Sequence, residues 1–338
     1  MARVLVASAA LAALVALGAL GALSGGAGAV TKPGRTRTET APVSALAVTG
    51  YSVSYAVADN AKRSDCAHVY LWHTAGGSIG KWRYGKPTNE PCIEGTSTGD
   101  GISAVAMSAA RTLWVQYAGG NLRDWQLFTA TQTKPQPHQL AFVEQDVDLP
   151  SPIVVGEGTP QAVPYAVGPK VTYLGDNRAA VFKWTALSPV TALAAGYGPG
   201  GAVVAAVLKS GELDLLNGSG TVVHTYAYQP GELGAVFLGP AGAVVQDGAS
   251  VLLLKGAQTS TVALPAHATM IGYGEGRVFY SLTGSIHALQ VSSSQDSLLV
   301  AGTKKNPVLA SYATAGGFAW ATGQTINWDC ASCVNFGG

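Results

Sequence analysis

Two stretches of this chain repeat one another in a way that few folds accommodate. Leu193 to Val204 reads as a strand, the turn Gly196-Tyr197-Gly198-Pro199-Gly200, and a second strand. Met270 to Tyr280 reads the same way around Gly272-Tyr273-Gly274-Glu275-Gly276, and Leu309 to Trp320 is a weaker copy. From about Val43 onward the texture is uniform, with apolar or alternating runs of strand length separated by Gly, Asn, Asp, Ser and Pro. No stretch beyond the N-terminus holds a helical period over a dozen residues. Short strands with regular turn punctuation define a sandwich, a barrel or a repeat array, and internal repetition selects the array.

A second recurrence concerns tryptophan. Lys81-Trp82, Asp124-Trp125, Lys183-Trp184 and Asn327-Trp328 each close a strand that follows a tight turn. An aromatic residue (Trp72, Trp114, Tyr173 or Trp320) precedes each of those turns. Reading these as third strands puts the second strands near residues 68, 112, 170, 202, 243, 278 and 318. That spacing centres near the roughly 40-residue blade of a propeller. Lys134–Pro152, which carries Pro135, Pro137, Pro150 and Pro152, reads as a loop insertion. The expectation is an all-β propeller of about seven four-stranded blades over residues 43–334, with a tail at 335–338. Val43–Thr49 is expected to supply the missing strand of the last blade and seal the ring.

The N-terminus reads as an export signal over residues 1–29. Arg3 precedes an uninterrupted apolar run from Val4 to Leu23, and Ala27-Gly28-Ala29 offers a small-residue cleavage site. Left uncleaved, the same run is long enough to anchor the chain in a membrane. Residues 30–42 are polar, lack periodicity and read as a flexible linker. Without Arg3 the remaining 19 basic residues balance 19 acidic ones, which argues against a nucleic-acid or anionic-membrane partner. Only 12% of residues are charged, about half the usual share. The expected location is secreted or extracytoplasmic.

Four cysteines in an exported chain read as two disulfides. Proximity favours Cys66–Cys92 and Cys330–Cys333, and a swapped pairing such as Cys92–Cys330 stays open.

Three catalytic patterns match, and their context rejects each. Gly76-Gly77-Ser78-Ile79-Gly80 fits a nucleophile elbow, and Ser78-Ile79-Gly80-Lys81 fits a β-lactamase serine motif. Gly196 to Gly201 fits a dinucleotide fingerprint. Each chemistry needs a helix after the motif, and here a strand follows. None of the six histidines stands at metal-ligand spacing from another. The most polar loop runs from Glu144 through Asp146 to Asp148, with Asp100 expected on the same rim. These carboxylates are the candidate ligand or cation site, with calcium as the cation. The alternative is a solvated acidic loop.

Over residues 43–334 the chain resembles the seven-bladed β-propeller superfamily. In texture it is close to bacterial exported WD40-like, quinoprotein-like and YVTN-type propellers. The resemblance is architectural: Trp328-Asp329 is a single occurrence of the WD40 pair, and no family's functional residues map onto this chain. It implies a non-enzymatic binding or scaffold module whose ligand (protein, carbohydrate or small molecule) sits over the central axis. Two alternatives stay open. One is a lyase, glycosidase or quinoprotein-type enzyme with a site assembled from several blades. The other is a membrane-anchored envelope protein.

Overall fold

The computed structural model describes residues 34–60, 63–74, 80–83, 101–177, 179–231, 233–313 and 316–330. Strand β1 (Arg35–Thr38) precedes the first complete blade, β2 (Val43–Thr49), β3 (Ser52–Asn60), β4 (Arg63–His73) and β5 (Gly80–Arg83). Blade two is β6 (Gly101–Met107), β7 (Arg111–Gly119), β8 (Leu122–Thr131) and β9 (Lys134–Asp146). Blade three is β10 (Ile153–Val155), β11 (Ala162–Val167), β12 (Lys170–Gly175) and β13 (Ala180–Thr185). Blade four is β14 (Val190–Ala195), β15 (Ala202–Leu208), β16 (Glu212–Asn217) and β17 (Val222–Ala227). Blade five is β18 (Leu233–Gly239), β19 (Gly242–Asp247), β20 (Ser250–Lys255) and β21 (Gln258–Ala263). Blade six is β22 (Thr269–Gly274), β23 (Arg277–Leu282), β24 (Ser285–Gln290) and β25 (Gln295–Val300). Blade seven is β26 (Val308–Ala313), β27 (Gly317–Thr322), β28 (Thr325–Cys330) and, outermost, β1. Every blade is a four-stranded antiparallel sheet, so the chain is a seven-bladed β-propeller.

Among the described residues the hydrophobic core has seven parts, and each is shared between two blades. Val163 and Leu174 of blade three pack with Leu113 and Leu127 of blade two. Phe318 and Trp320 of blade seven pack with Phe279 and Ile286 of blade six. The ring-closing part joins Val53, Tyr55 and Trp72 of blade one to Ala319, Ile326 and Trp328 of blade seven. A single blade has two apolar faces and can bury neither alone, so each is completed only by its neighbours. The second strand of blade four, β15, is almost wholly buried, while the outermost strands β17 and β21 are nearly all exposed.

The seal differs from the expectation. Val43–Thr49 is the innermost strand of blade one, and the closing strand is Arg35–Thr38, inside the segment read as a linker. The alternating Arg-Thr-Arg-Thr of β1 suits an outermost strand, which has one edge in water and little to bury. Thr36 Oγ1 donates to Asn327 Oδ1 at 3.0 Å, and Gln324 Nε2 donates to the Thr40 carbonyl at 3.2 Å. Arg37 Nε and the Tyr55 hydroxyl both donate to Glu39 Oε1, each at 2.6 Å. The closing strand and blade one are thereby tied to one buried carboxylate. Burial, and then the neighbouring Glu39 charge, push the Tyr55 hydroxyl far above its ordinary pKa.

Two other expectations are corrected. Residues 68 and 170 lie in third strands, because β3 and β11 precede them; the other five second-strand positions agree. Trp125 and Trp328 accordingly lie on third strands, while Trp82 and Trp184 lie on outermost ones. Lys134–Asp146 is not a loop but the long outer strand β9. Its Pro135 and Pro137 are tolerated because an edge strand has ladder positions that face water.

The Gly-Tyr-Gly turns do occupy equivalent places, where innermost strands turn into second strands. Their glycines answer to crowding near the axis. A Cβ on Gly196 would lie 1.9 Å from the Leu238 carbonyl oxygen of blade five, and one on Gly272 would lie 2.6 Å from the Tyr312 Cβ of blade seven. By contrast, a Cβ on Gly218 meets nothing within 4 Å. Gly196→Ala should therefore destabilise the ring by about 1–3 kcal/mol in chemical denaturation. Gly218→Ala should stay within about 0.5 kcal/mol of the parent.

Candidate functional site

The seven innermost strands surround a central passage. A cavity of about 200 Å³ lies on it, walled by residues from every innermost strand except β14. Leu46, Val105, Val155, Phe237, Ile271 and Ala310 supply most of the apolar wall. Glu157, Ser311 and Tyr312 supply the polar side chains.

Each of these three residues makes a contact between blades. Glu157 follows β10, and its carbonyl accepts from the Ala195 N–H of blade four at 2.7 Å. Ser311 Oγ accepts from the Val48 N–H of blade one at 3.2 Å. The Tyr312 ring stacks on Phe279 of blade six at 4.6 Å between centroids. Burial, with smaller contributions from the charges of Glu275 and Glu157, pushes the Tyr312 hydroxyl up to about 12. An apolar axial cavity with one carboxylate suits a small ligand or an inserted side chain.

The sequence-predicted site residues lie elsewhere. Glu144 and Asp146 end β9, and Asp148 follows in the turn toward blade three. All three are exposed, on the rim of blade two and away from the axis. Asp100 lies outside the described residues. Among the described residues no three His, Cys, Asp or Glu side chains gather as metal ligands would. Glu144, Asp146 and Asp148 are neighbours along one edge of blade two.

Gly196–Gly201 turns into strand β15, as the hairpin reading expects. Ser78 lies outside the described residues. So do Cys92, Cys333 and the Cys66 side chain, although the Cys66 backbone falls within β4. Cys330, at the end of β28, is in the disulfide state, and the pairing lies outside the described residues.

Several polar groups carry no motif in the sequence. Glu157 is a lone carboxylate in a glycine-rich turn, and only ring closure brings it to the axis. His287 Nδ1 and Asp296 Oδ2 lie 3.1 Å apart on blade six, brought together by the β24–β25 pairing. Buried Arg111 clamps blade two to blade three, donating to the Gly175 and Asp176 carbonyl oxygens at 3.0 and 2.8 Å. The only local signal for Arg111 is a basic residue opening an otherwise apolar strand.

No protein-family model matches the chain, and no curated protein is significantly similar to it. Solved structures share its architecture. One is a chain in the crystal structure of the mitotic checkpoint complex, with a TM-score of 0.56 and 13% identity over 95% of this chain and 98% of that one. Another is Raptor from Chaetomium thermophilum, with a TM-score of 0.55 and 11% identity over 87% of this chain. The present chain spans 29% of the length of Raptor. At such identities the likeness shows the fold alone, which is the β-propeller.

The Tyr312 environment yields a pH test. Its folded pKa of about 12 exceeds the ordinary value of 10, so the folded state keeps a proton that the unfolded state loses. The stabilisation is complete below pH 10 and is lost as pH rises toward 12. Tyr312→Phe keeps the ring on Phe279 and removes that titration. Urea midpoints should show the variant losing less stability than the parent between these two pH values.

Proposed function

We propose that this chain is an exported, non-catalytic propeller that binds a protein partner through blades two to four. One asymmetry carries the reading. Of the ten exposed large apolar side chains among the described residues, eight belong to these blades or to the connections leaving them. Leu122, Phe142 and Leu149 lie on or just after blade two, Val181 and Leu187 on or after blade three, and Tyr197, Val222 and Val223 on blade four. Leu187 is 98% exposed. A ring that buries both faces of each blade has no structural need for apolar side chains on one side of its perimeter, and such concentrations mark interaction surfaces. The similar chain in the mitotic checkpoint complex also works within an assembly, which is the kind of role proposed.

Export rests on the apolar run, the Ala27-Gly28-Ala29 site and the even cysteine count. Disulfides among Cys66, Cys92, Cys330 and Cys333 would brace blades one and seven, the pair that closes the ring.

Cross-linking mass spectrometry on the native extracytoplasmic fraction tests both parts. The protein's mass should lack residues 1–29. Cross-links to a single partner protein should come from exposed Lys134, Lys170, Lys183 and Lys209 of blades two to four. Cross-links only from Lys255, Lys304 and Lys305 of the opposite side, or none, would contradict the reading.

A further inference from the structure

Blade two is built differently from its neighbours on the ring. Its outer strand β9 has 13 residues, whereas β13, β17, β21 and β25 have six each. The register pairs Leu122 with Asp146, Asp124 with Glu144 and Gln126 with Phe142. Side chains alternate along a strand, so these six share one face of the sheet. The opposite face carries Trp125, Leu127 and Val143, which pack against blade three. Elsewhere the first face is covered: Trp114 of β7 and Phe128 and Ala130 farther along β8 pack against blade one. Beyond that core it is open, with Phe142 51% and Leu122 46% exposed.

This open flank is acidic as well as apolar. Asp124 lies directly opposite Glu144, and like charges in that position work against the sheet. Asp146 extends the same stripe, and the exposed Asp148 follows it in the turn. None of the four carboxylates forms an ion pair among the described residues. The nearby Arg123 belongs to the other face, where its guanidinium lies 4.8 Å from the Tyr117 ring centre. A sheet face that has no partner among the described residues, with an exposed phenyl ring and negative charge uncompensated among those residues, suits a cationic, partly apolar occupant. Such an occupant would relieve the Asp124–Glu144 repulsion, and an Arg or Lys could also lie over the Phe142 ring.

We propose that the open flank of blade two docks a basic, extended segment of the partner protein, seating an apolar side chain between Leu122 and Phe142. The proposal rests on the binding-module reading and adds the chemistry of the partner. Glu144, Asp146 and Asp148 then act as a peptide-facing acidic stripe rather than as calcium ligands. Nucleic acid and anionic lipid are disfavoured by the sign of the charge.

The test uses the full mature chain and two labelled peptides, one alternating Lys with Val and one with Glu in place of each Lys. Fluorescence anisotropy should show binding of the Lys peptide only, weakening as salt rises from about 50 to about 200 mM. Glu144→Lys combined with Asp146→Lys should weaken binding about tenfold, and so should Phe142→Ser. Glu275→Lys, an exposed reversal on blade six, should leave it unchanged. Equal binding of both peptides, or an unaltered affinity in the double variant, overturns the proposal. So does a dimer that the double variant abolishes, which would assign the flank to a second copy. A cross-link from Lys86 to Glu144 or Asp146 within the isolated chain would assign it to residues 84–100 and equally overturn it. If cross-links from blades two to four to the native partner persist in the double variant, the binding-module reading survives and only this assignment falls.

Discussion

No blade of this protein owns its core. Each of the seven apolar clusters is made of side chains from two neighbouring blades, so every sheet depends on both neighbours for burial. In an open array of this kind, two blades would each leave a face in water. The ring avoids this because Val53, Tyr55 and Trp72 meet Ala319, Ile326 and Trp328 across the closure. What holds that seam is a short polar strand from the other end of the chain, bonded to β28 and linked through Glu39 to Tyr55. The stabilisation is collective: burial at six interfaces is secure only while the seventh stays shut.

Shared interfaces also explain the small residues near the axis. Innermost strands converge there, and the closest approaches leave no room for a Cβ at Gly156, Gly196 or Gly272. The axial cavity beside these close approaches measures about 200 Å³. The outer edges have the opposite freedom. Nothing in ring packing dictates what β9 or β17 presents to water, so the perimeter is where recognition can evolve without disturbing the core. The asymmetry of exposed apolar residues toward blades two to four fits that division.

The same physics decided what was legible in the sequence. The Gly-Tyr-Gly turns could be read because a neighbouring blade forbids larger residues at fixed points of a local motif. The blade number followed from the spacing of the seven inferred second strands, five of which are second strands in the fold. Strand register within blades one and three could not be read as surely, since Trp82 and Trp184 sit on outer strands while Trp125 and Trp328 sit on third strands. β1 looked like a linker because an outermost strand buries little and its partner Asn327 lies 291 residues from Thr36. Likewise β9 looked like a loop, because an edge position tolerates its prolines. Glu157 carried no local signal, and the flank formed by Leu122, Asp124, Phe142 and Glu144 exists only through the β8–β9 register.

The most direct test of the shared-core account is calorimetry on two forms of the mature chain, one beginning at residue 34 and one at residue 39, which lacks β1. If the closing strand holds every interface together, the shorter form should unfold at a markedly lower temperature in one transition, with Trp184 on blade three and Trp328 at the closure reporting the same midpoint. A shorter form that melts with the parent and frays only near Trp328 would show that the blades are stable without closure, and would contradict the account.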